Sequence, residues 1–474
     1  MHPETVKKIG VTVFLGLLTI SAFLIRLENF KNSPARSIDE IVYYRMGKQI
    51  LQEGLSGYNT IPYGREMAAT GRPLPPYFFE PLFKHPPLFT FLITLSMKIF
   101  GPLLVSAEYI SLLFGVFLIP LVYILGALLF NRRIGLLSAF FLWIDPVTII
   151  CSQKVWMETT VAFFTLLSAV FFAKGIKSNS DWFFILSGLS SGLAVNTKYP
   201  GILITVAFVF YASFYDKDLF CNRKFQISLA LPFFSLLPWM YWNYRVYGLK
   251  SIPQHEEINA LFKIFPAKWT LVFLVGIILT AVLWLKERFS HQGNAARPAT
   301  EPLPPSSLKK ISILFLLFLG IFLRDNLLHS LQFNHLPFVS WAGGVIYAGG
   351  SSLFYIGRLI EYSFLYALAF IALLIYRSGH DPEVALLRSS AFIILIFYIM
   401  WGNYQSRYIL AAIPFLVILG VHFWTENFEK ARSLKSRLVY VLGAGGWTAV
   451  MIYTVAKTYA IDLLLSYPND MCYF

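Results

Sequence analysis

The chain alternates long apolar runs with short polar breaks. Several runs reach the ~18–20 residues that cross a bilayer as a helix. The first covers 9–25, and others follow at 107–130, 134–151, 158–174, 182–197, 199–215 and 225–243. Further runs lie at 269–285, 310–324, 352–376, 385–401, 408–425 and 438–459. The pattern predicts an all-α polytopic membrane protein, a bundle of about thirteen transmembrane helices.

One long polar segment, 26–106, interrupts this rhythm. Within it, Ser37–Gly54 reads as a helix with adjacent carboxylates, Asp39 and Glu40, in its first turn. A turn-rich stretch with Gly57, Pro62, Gly64, Gly71, Pro75 and Pro76 comes next, then Lys84-His85-Pro86-Pro87 and a short apolar run, 88–100. That run has only ~13 residues and contains Lys98, which suits an interfacial or re-entrant helix. If it does not cross, the basic turn Asn131-Arg132-Arg133 falls inside and 26–106 stays wholly outside.

Composition sharpens the picture. The chain is 57% hydrophobic and 14% charged, with a formal charge of +14. In a soluble protein that charge would suggest nucleic acid; here a positive-inside bias explains it, and membrane lipids replace nucleic acid as the expected partner. Lys7 with Lys8, Arg132 with Arg133, Lys174 with Lys177, Arg223 with Lys224, and Lys430 with Arg432 all fall in inside loops. Cys151, Cys221 and Cys472 have no metal-like spacing and make no disulfide framework. No P-loop or G-x-G-x-x-G motif occurs. Lys7 and Lys8 precede a run too long for a signal peptide, so an uncleaved first span is expected. The stretch 286–309 reads as a disordered cytoplasmic linker, dividing a module at 1–285 from C-terminal helices at 310–474. Only Ile461–Phe474 follow the last run, so no soluble C-terminal domain is expected.

With orientation set, ionisable residues gather at the outer boundary: Asp39, Glu40, Lys84, His85, Lys154, Glu158, Lys198, Arg245 and Arg407. Each has an ordinary reading. Ser37-x-x-Glu40 fits a capping box, with Asp39 favoured by the helix dipole. Glu158 can cap a helix, His85 can punctuate a loop, and Lys198 and Arg407 can snorkel at span ends. Lys154 and Arg245 suit simple boundary charges. Together, acids and cations at one membrane depth suit the breaking of a bond to a lipid-carried phosphate. A carboxylate takes a proton from a hydroxyl while cations stabilise the leaving phosphate.

The motifs resemble those of GT-C glycosyltransferases that use polyprenyl-phosphate sugars, above all the group of protein O-mannosyltransferases and the lipid A aminoarabinose transferase. Asp39-Glu40 with Tyr43-Tyr44 resembles the first outer-loop motif, and His85-Pro86-Pro87-Leu88 through Phe100-Gly101 the second landmark. Phe130 to Gly135 is similar to the basic turn. Ser152 to Glu158 is similar to the second-acid segment, with Glu where Asp is commoner. Gly188 to Lys198 resembles a further landmark, with Tyr199 replacing the usual Gly, and Arg407-Tyr408 followed by Pro414 resembles another. The likeness covers about 10–215 well and 400–420 locally.

The resemblance implies an inverting transfer of one sugar from a polyprenyl-phosphate carrier to a hydroxyl, at the outer face of a bacterial cell (inner) membrane. It implies Asp39 as base with Glu40 supporting it or placing the acceptor. Lys198 and Arg407 would hold the donor phosphate, and His85 and Glu158 would line the site. No metal or other cofactor is expected, although the second acid leaves room for a divalent ion. The rival class is a transporter or flippase, for which Asp145 before Pro146, and Arg358 with Glu361, are the midplane hints. Oligomeric state, sugar and acceptor have no sequence signature here.

Overall fold

A computed structural model describes residues 3–28, 38–71, 74, 76–178, 180–248, 355, 363–375, 381–401 and 406–430, with short pieces between 437 and 449. Ser37, Arg358, Glu361, the linker at 286–309 and the runs at 269–285 and 310–324 lie outside the described residues, as does most of 438–459.

Among the described residues every regular element is a helix. In order they are α1 (Pro3–Glu28), α2 (Ile38–Glu53), α3 (Ile61–Ala69), α4 (Leu88–Phe100), α5 (Leu104–Leu129), α6 (Arg132–Trp143), α7 (Pro146–Ser152), α8 (Glu158–Ser178), α9 (Trp182–Thr197), α10 (Leu203–Phe214) and α11 (Arg223–Tyr247). Then come α12 (Phe364–Ile375), α13 (Pro382–Trp401) and α14 (Ile413–Lys430). Four helical stretches are long and apolar enough to cross a membrane: Ile9–Leu27, Leu104–Leu129, Glu158–Ser178 and Pro382–Ile399. The bent pair α6–α7 makes up to 5. The described residues therefore support an integral membrane protein without reaching the thirteen spans expected. Helices α4 and α9 are shorter apolar helices, and so is the stretch Tyr199–Phe214 that contains α10.

The run at 134–151, expected to be one span, is two helices bent by 60°. Pro146 causes the break. It has no N–H to donate, and it disfavours helical geometry in the residue before it. Asp145 is accordingly extended (φ −67°, ψ 121°) and caps α7, accepting from the Thr148 N–H and the Thr148 hydroxyl, both at 2.7 Å. Its second oxygen accepts from the hydroxyl of Tyr366 on α12. Arg26 of α1 donates to the Trp143 carbonyl at 3.3 Å, satisfying an orphan group at the end of α6. A cap and a clamp between helices thus account for Asp145, the first of the residues that hinted at transport.

The bundle builds outward from α5, which packs on α6 and α8, while α9 packs on α8 and α11. Gly188 permits the α9–α11 contact: a Cβ there would lie 2.5 Å from the Ser228 carbonyl oxygen. Helices α12, α13 and α14 share one apolar core with the N-terminal ones, including Ile119, Leu166, Phe208, Leu387 and Phe415. Although 286–309 separates them in sequence, the two halves meet in a common interior.

The polar segment forms a second core. Tyr43 and Met46 of α2, Tyr58, Phe83, and Phe89 and Ile93 of α4 pack with Val155, Met157 and Trp239. Gly101, at φ +92°, turns the chain from α4 into α5, a conformation that costs glycine little. The segment is thereby docked on the turn before α8 and on the end of α11.

If Asp145 is a cap, Asp145→Asn should fold and function nearly normally, because Asn caps equally well. Asp145→Ala should lower stability in detergent by ~0.5–2 kcal/mol. Thermal unfolding of the two variants checks this; an Asn variant as damaged as the Ala one would point to a role for the charge itself.

Candidate active site

Four segments converge where α2 meets the turn at 153–157. Asp39 lies in the first turn of α2, and Glu158 opens α8. Lys198 follows α9, and Arg407 sits in the short 3-10 stretch Ser406–Ala411 ahead of α14. Arg407 Nη2 donates to Asp39 Oδ2 at 2.6 Å, and its Nε lies 3.8 Å from Glu158 Oε1. Lys198 Nζ donates to the same Glu158 oxygen at 3.2 Å. The result is a chain of alternating charge, Asp39–Arg407–Glu158–Lys198. Two of the four are buried and a third is mostly covered: the side chains of Glu158, Arg407 and Lys198 are 7%, 6% and 12% exposed, against 46% for Asp39.

Aromatic rings frame the cations. Arg407 lies over Trp156 at 4.6 Å and near Tyr408 at 5.4 Å, while Lys198 lies over the Tyr408 ring at 4.4 Å. Tyr408 stacks in turn on Tyr398 of α13. Partial burial pushes the Asp39 carboxyl up, but the Arg407 guanidinium, helped by Lys84 and Lys198, outweighs it and holds the group below the usual carboxylate range. Burial pushes Lys198 down, and Glu158 more than offsets this, raising it. Asp39 and Lys198 are therefore both charged at neutral pH.

Four of the six residues singled out from sequence meet directly: Asp39, Glu158, Lys198 and Arg407. Glu40 is placed otherwise. It is fully buried, accepts from the Val155 N–H at 3.3 Å, and lies 3.8 Å from Lys154 Nζ. It faces the turn before α8; the capping-box reading needs Ser37, which lies outside the described residues. His85 is also buried and joins the aromatic cluster, its carbonyl accepting from the Tyr58 hydroxyl at 2.7 Å and its ring meeting Phe83 edge-on. Lys154, read from sequence as a boundary charge, is the buried counterpart of Glu40. Arg245 donates to the Tyr241 hydroxyl on its own helix at 3.2 Å.

Sequence reasoning missed the rings of Trp156 and Tyr408. Their only signal was adjacency, Trp156 lying two residues before Glu158 and Tyr408 directly after Arg407. Among the described residues, no group of three or more His, Cys, Asp or Glu side chains could hold a metal ion.

In fold the chain is similar to a solved oligosaccharyltransferase, and part of it matches a mannosyltransferase family model. Residues 84–242 match the family model described as dolichyl-phosphate-mannose-protein mannosyltransferase. The chain superposes on the oligosaccharyltransferase AglB from Archaeoglobus fulgidus, in complex with an inhibitory peptide and a dolichol-phosphate, with a TM-score of 0.54. Identity is 16%, and the match covers 98% of this chain and 56% of that one. The apo form of the A. fulgidus enzyme gives 0.52, at 16% identity, over 98% and 56%. This chain thus spans little more than half the length of the AglB chains, and the likeness at this identity is one of fold. ArnT from Cupriavidus metallidurans aligns over 92% of this chain and 85% of its own, at 15% identity and a TM-score of 0.43. No curated protein sequence matches the chain.

The Asp39–Arg407 contact has a readable consequence for pH. With its pKa lowered, Asp39 protonates only below the ordinary carboxylate range, so the pair is intact at neutral pH and is lost as pH falls through that lowered value. Arg407→Gln removes the charge that holds the value down and leaves the burial that raises it. Labelling of Asp39 by a carbodiimide, which attacks the protonated carboxyl, should therefore begin at higher pH in Arg407→Gln than in the wild type. Mass spectrometry of the peptide reads this; coincident labelling curves would contradict the pairing.

Proposed function

We propose that this chain is an inverting glycosyltransferase. It moves one monosaccharide from a polyprenyl-phosphate carrier to a hydroxyl on a lipid, glycan or protein, at the outer face of a bacterial cell membrane. The observation that carries the reading is the alternating cluster, Asp39–Arg407–Glu158–Lys198, drawn from four separate segments. One acid is half open to solvent, with a buried cation and a mostly covered one beside it.

On this reading Asp39 removes the proton from the acceptor hydroxyl as its oxygen attacks the anomeric carbon. The bond from that carbon to the carrier phosphate breaks, and its electron pair leaves with the phosphate. A single displacement inverts the anomeric centre. Arg407 and Lys198 stabilise the charge growing on the phosphate, where fixed cations in a water-poor site act most strongly. Glu158 holds both cations in place. Glu40 supports the turn carrying Trp156 and Glu158, and His85 stiffens the adjoining aromatic wall. Two side-chain cations supply the electrostatics, so the scheme invokes no metal. The dolichol-phosphate in the AglB complex supports a lipid phosphate as ligand. The aligned AglB is an oligosaccharyltransferase, so transfer of a whole oligosaccharide is the nearest rival. The mass gained by the acceptor separates the two. Of the hints at transport, Asp145 has a structural role, while Arg358 and Glu361 lie outside the described residues.

Two measurements test the scheme. In a sugar-transfer assay with purified protein, Asp39→Asn should lower turnover ~10²–10⁴-fold, the usual share of a general base, at unchanged membrane abundance. Glu40→Gln should lose less activity and more thermal stability, since it leaves Lys154 buried beside a neutral amide. An Asp39→Asn enzyme that keeps most of its turnover would remove Asp39 from the mechanism and shift the base to Glu158. For orientation, a single cysteine at Ser96 should never be more protected from an impermeant outside reagent than one at Asn131, in a background without native cysteines. The reverse order would place the site on the inner face.

A further inference from the structure

We infer that Trp156 is a positioning residue for donor binding: its indole is the platform that fixes the plane of the Arg407 guanidinium, so that the guanidinium edge faces Asp39, Glu158 and the incoming phosphate. The inference rests on the proposed role of Arg407 in holding that phosphate.

Three observations carry it. First, the Arg407 Cζ lies over the Trp156 ring at 4.6 Å, and both side chains are buried. Guanidinium donors all lie in one plane, so covering a face with an indole leaves the edge for hydrogen bonding. Edge donors are used that way here, Nη2 to Asp39 at 2.6 Å and Nε toward Glu158 at 3.8 Å.

Second, the platform is itself anchored. The Ser111 hydroxyl of α5 donates to the Trp156 carbonyl at 2.9 Å and accepts from the Trp156 N–H at 3.3 Å. The preceding residue, Val155, donates its N–H to Glu40 of α2. The backbone under the ring is thus tied to two different helices. Third, the same turn leads within two residues to Glu158, so platform and counter-ion move together. A ring that merely filled the core could face any apolar neighbour; this one faces a charged group that two carboxylates also hold.

A long, flexible arginine loses much rotamer entropy when it grips a phosphate. A fixed ring beneath it removes part of that cost before the donor arrives and adds a cation–π attraction. The ring should therefore affect donor affinity through Arg407 alone.

Binding of undecaprenyl phosphate to the full-length protein in detergent tests this without turnover. Trp156→Leu should weaken binding about tenfold, the scale of a desolvated cation–π contact. Trp156→Phe keeps an aromatic face and should lose about twofold, a rescue relative to Leu. In an Arg407→Ala background both substitutions at 156 should have no further effect on binding. Thermal stability, measured in parallel, should fall equally in both backgrounds because the core is disturbed in each. If Trp156→Leu does not fold, the Phe variant provides the same cycle. A loss of affinity that persists undiminished without Arg407 would show a general packing role and overturn the inference, as would unchanged binding by a folded Trp156→Leu protein. A wild-type protein that does not bind undecaprenyl phosphate would overturn the functional reading together with the inference.

Discussion

A buried guanidinium must be paired, because taking a charge out of water costs more than most tertiary contacts return. Arg407 is such a group, and its partners fix much of the molecule. Asp39 lies 368 residues away in sequence, on α2, and Glu158 opens α8. To bring them together, α2 must dock against the turn at 153–157, and the C-terminal helices must join the core built by α5 and α8. Both dockings are observed as packed apolar interiors. The apolar cores supply the hydrophobic stabilisation, and the ion cluster joins α2, α8, the end of α9 and the stretch ahead of α14.

The break at Pro146 bears on this arrangement. A straight helix over 134–151 would run on in the direction of α6. The 60° bend redirects α7, so that the turn after it reaches Ser111 of α5 and Glu40 of α2. Asp145 satisfies the new N-terminus, and Arg26 satisfies a carbonyl at the old C-terminus. These partners at the two helix ends answer the need of polar groups in a membrane interior. The mid-run carboxylate and the position of Glu158 then have one cause.

The elements most legible in the sequence were the ones set by composition and charge. Apolar runs marked the helices, basic turns gave their expected direction, and the polar residues expected at one depth were a longer set that included Asp39, Glu158, Lys198 and Arg407. The less legible features depend on three-dimensional proximity. Apolar periodicity cannot show a break inside a uniformly apolar run, although Asp145-Pro146 carried the local signal. Glu40 looked equivalent to Asp39 because the two are adjacent; on a helix, adjacent residues point ~100° apart, so one faces the site and the other the turn behind it. Lys154 looked like a boundary charge because its partner is 114 positions away in the sequence. Trp156 and Tyr408 were hidden by an aromatic content of 17%, which makes any single ring uninformative until a cation is seen above it.

The three acids show how environment divides roles among like groups. Glu40 is fully buried and bonded to a backbone N–H, so it serves the scaffold. Glu158 is buried between two cations, so it sets their positions and tempers their charge. Asp39 alone among them is half open to solvent. The formal charges of Asp39, Arg407, Glu158 and Lys198 cancel before any ligand arrives. On the proposed reading, a phosphate entering beside Arg407 meets the guanidinium edge that also holds Asp39. On that reading the donor and the base are linked through one side chain, because the guanidinium that would hold the phosphate is the group that orients Asp39.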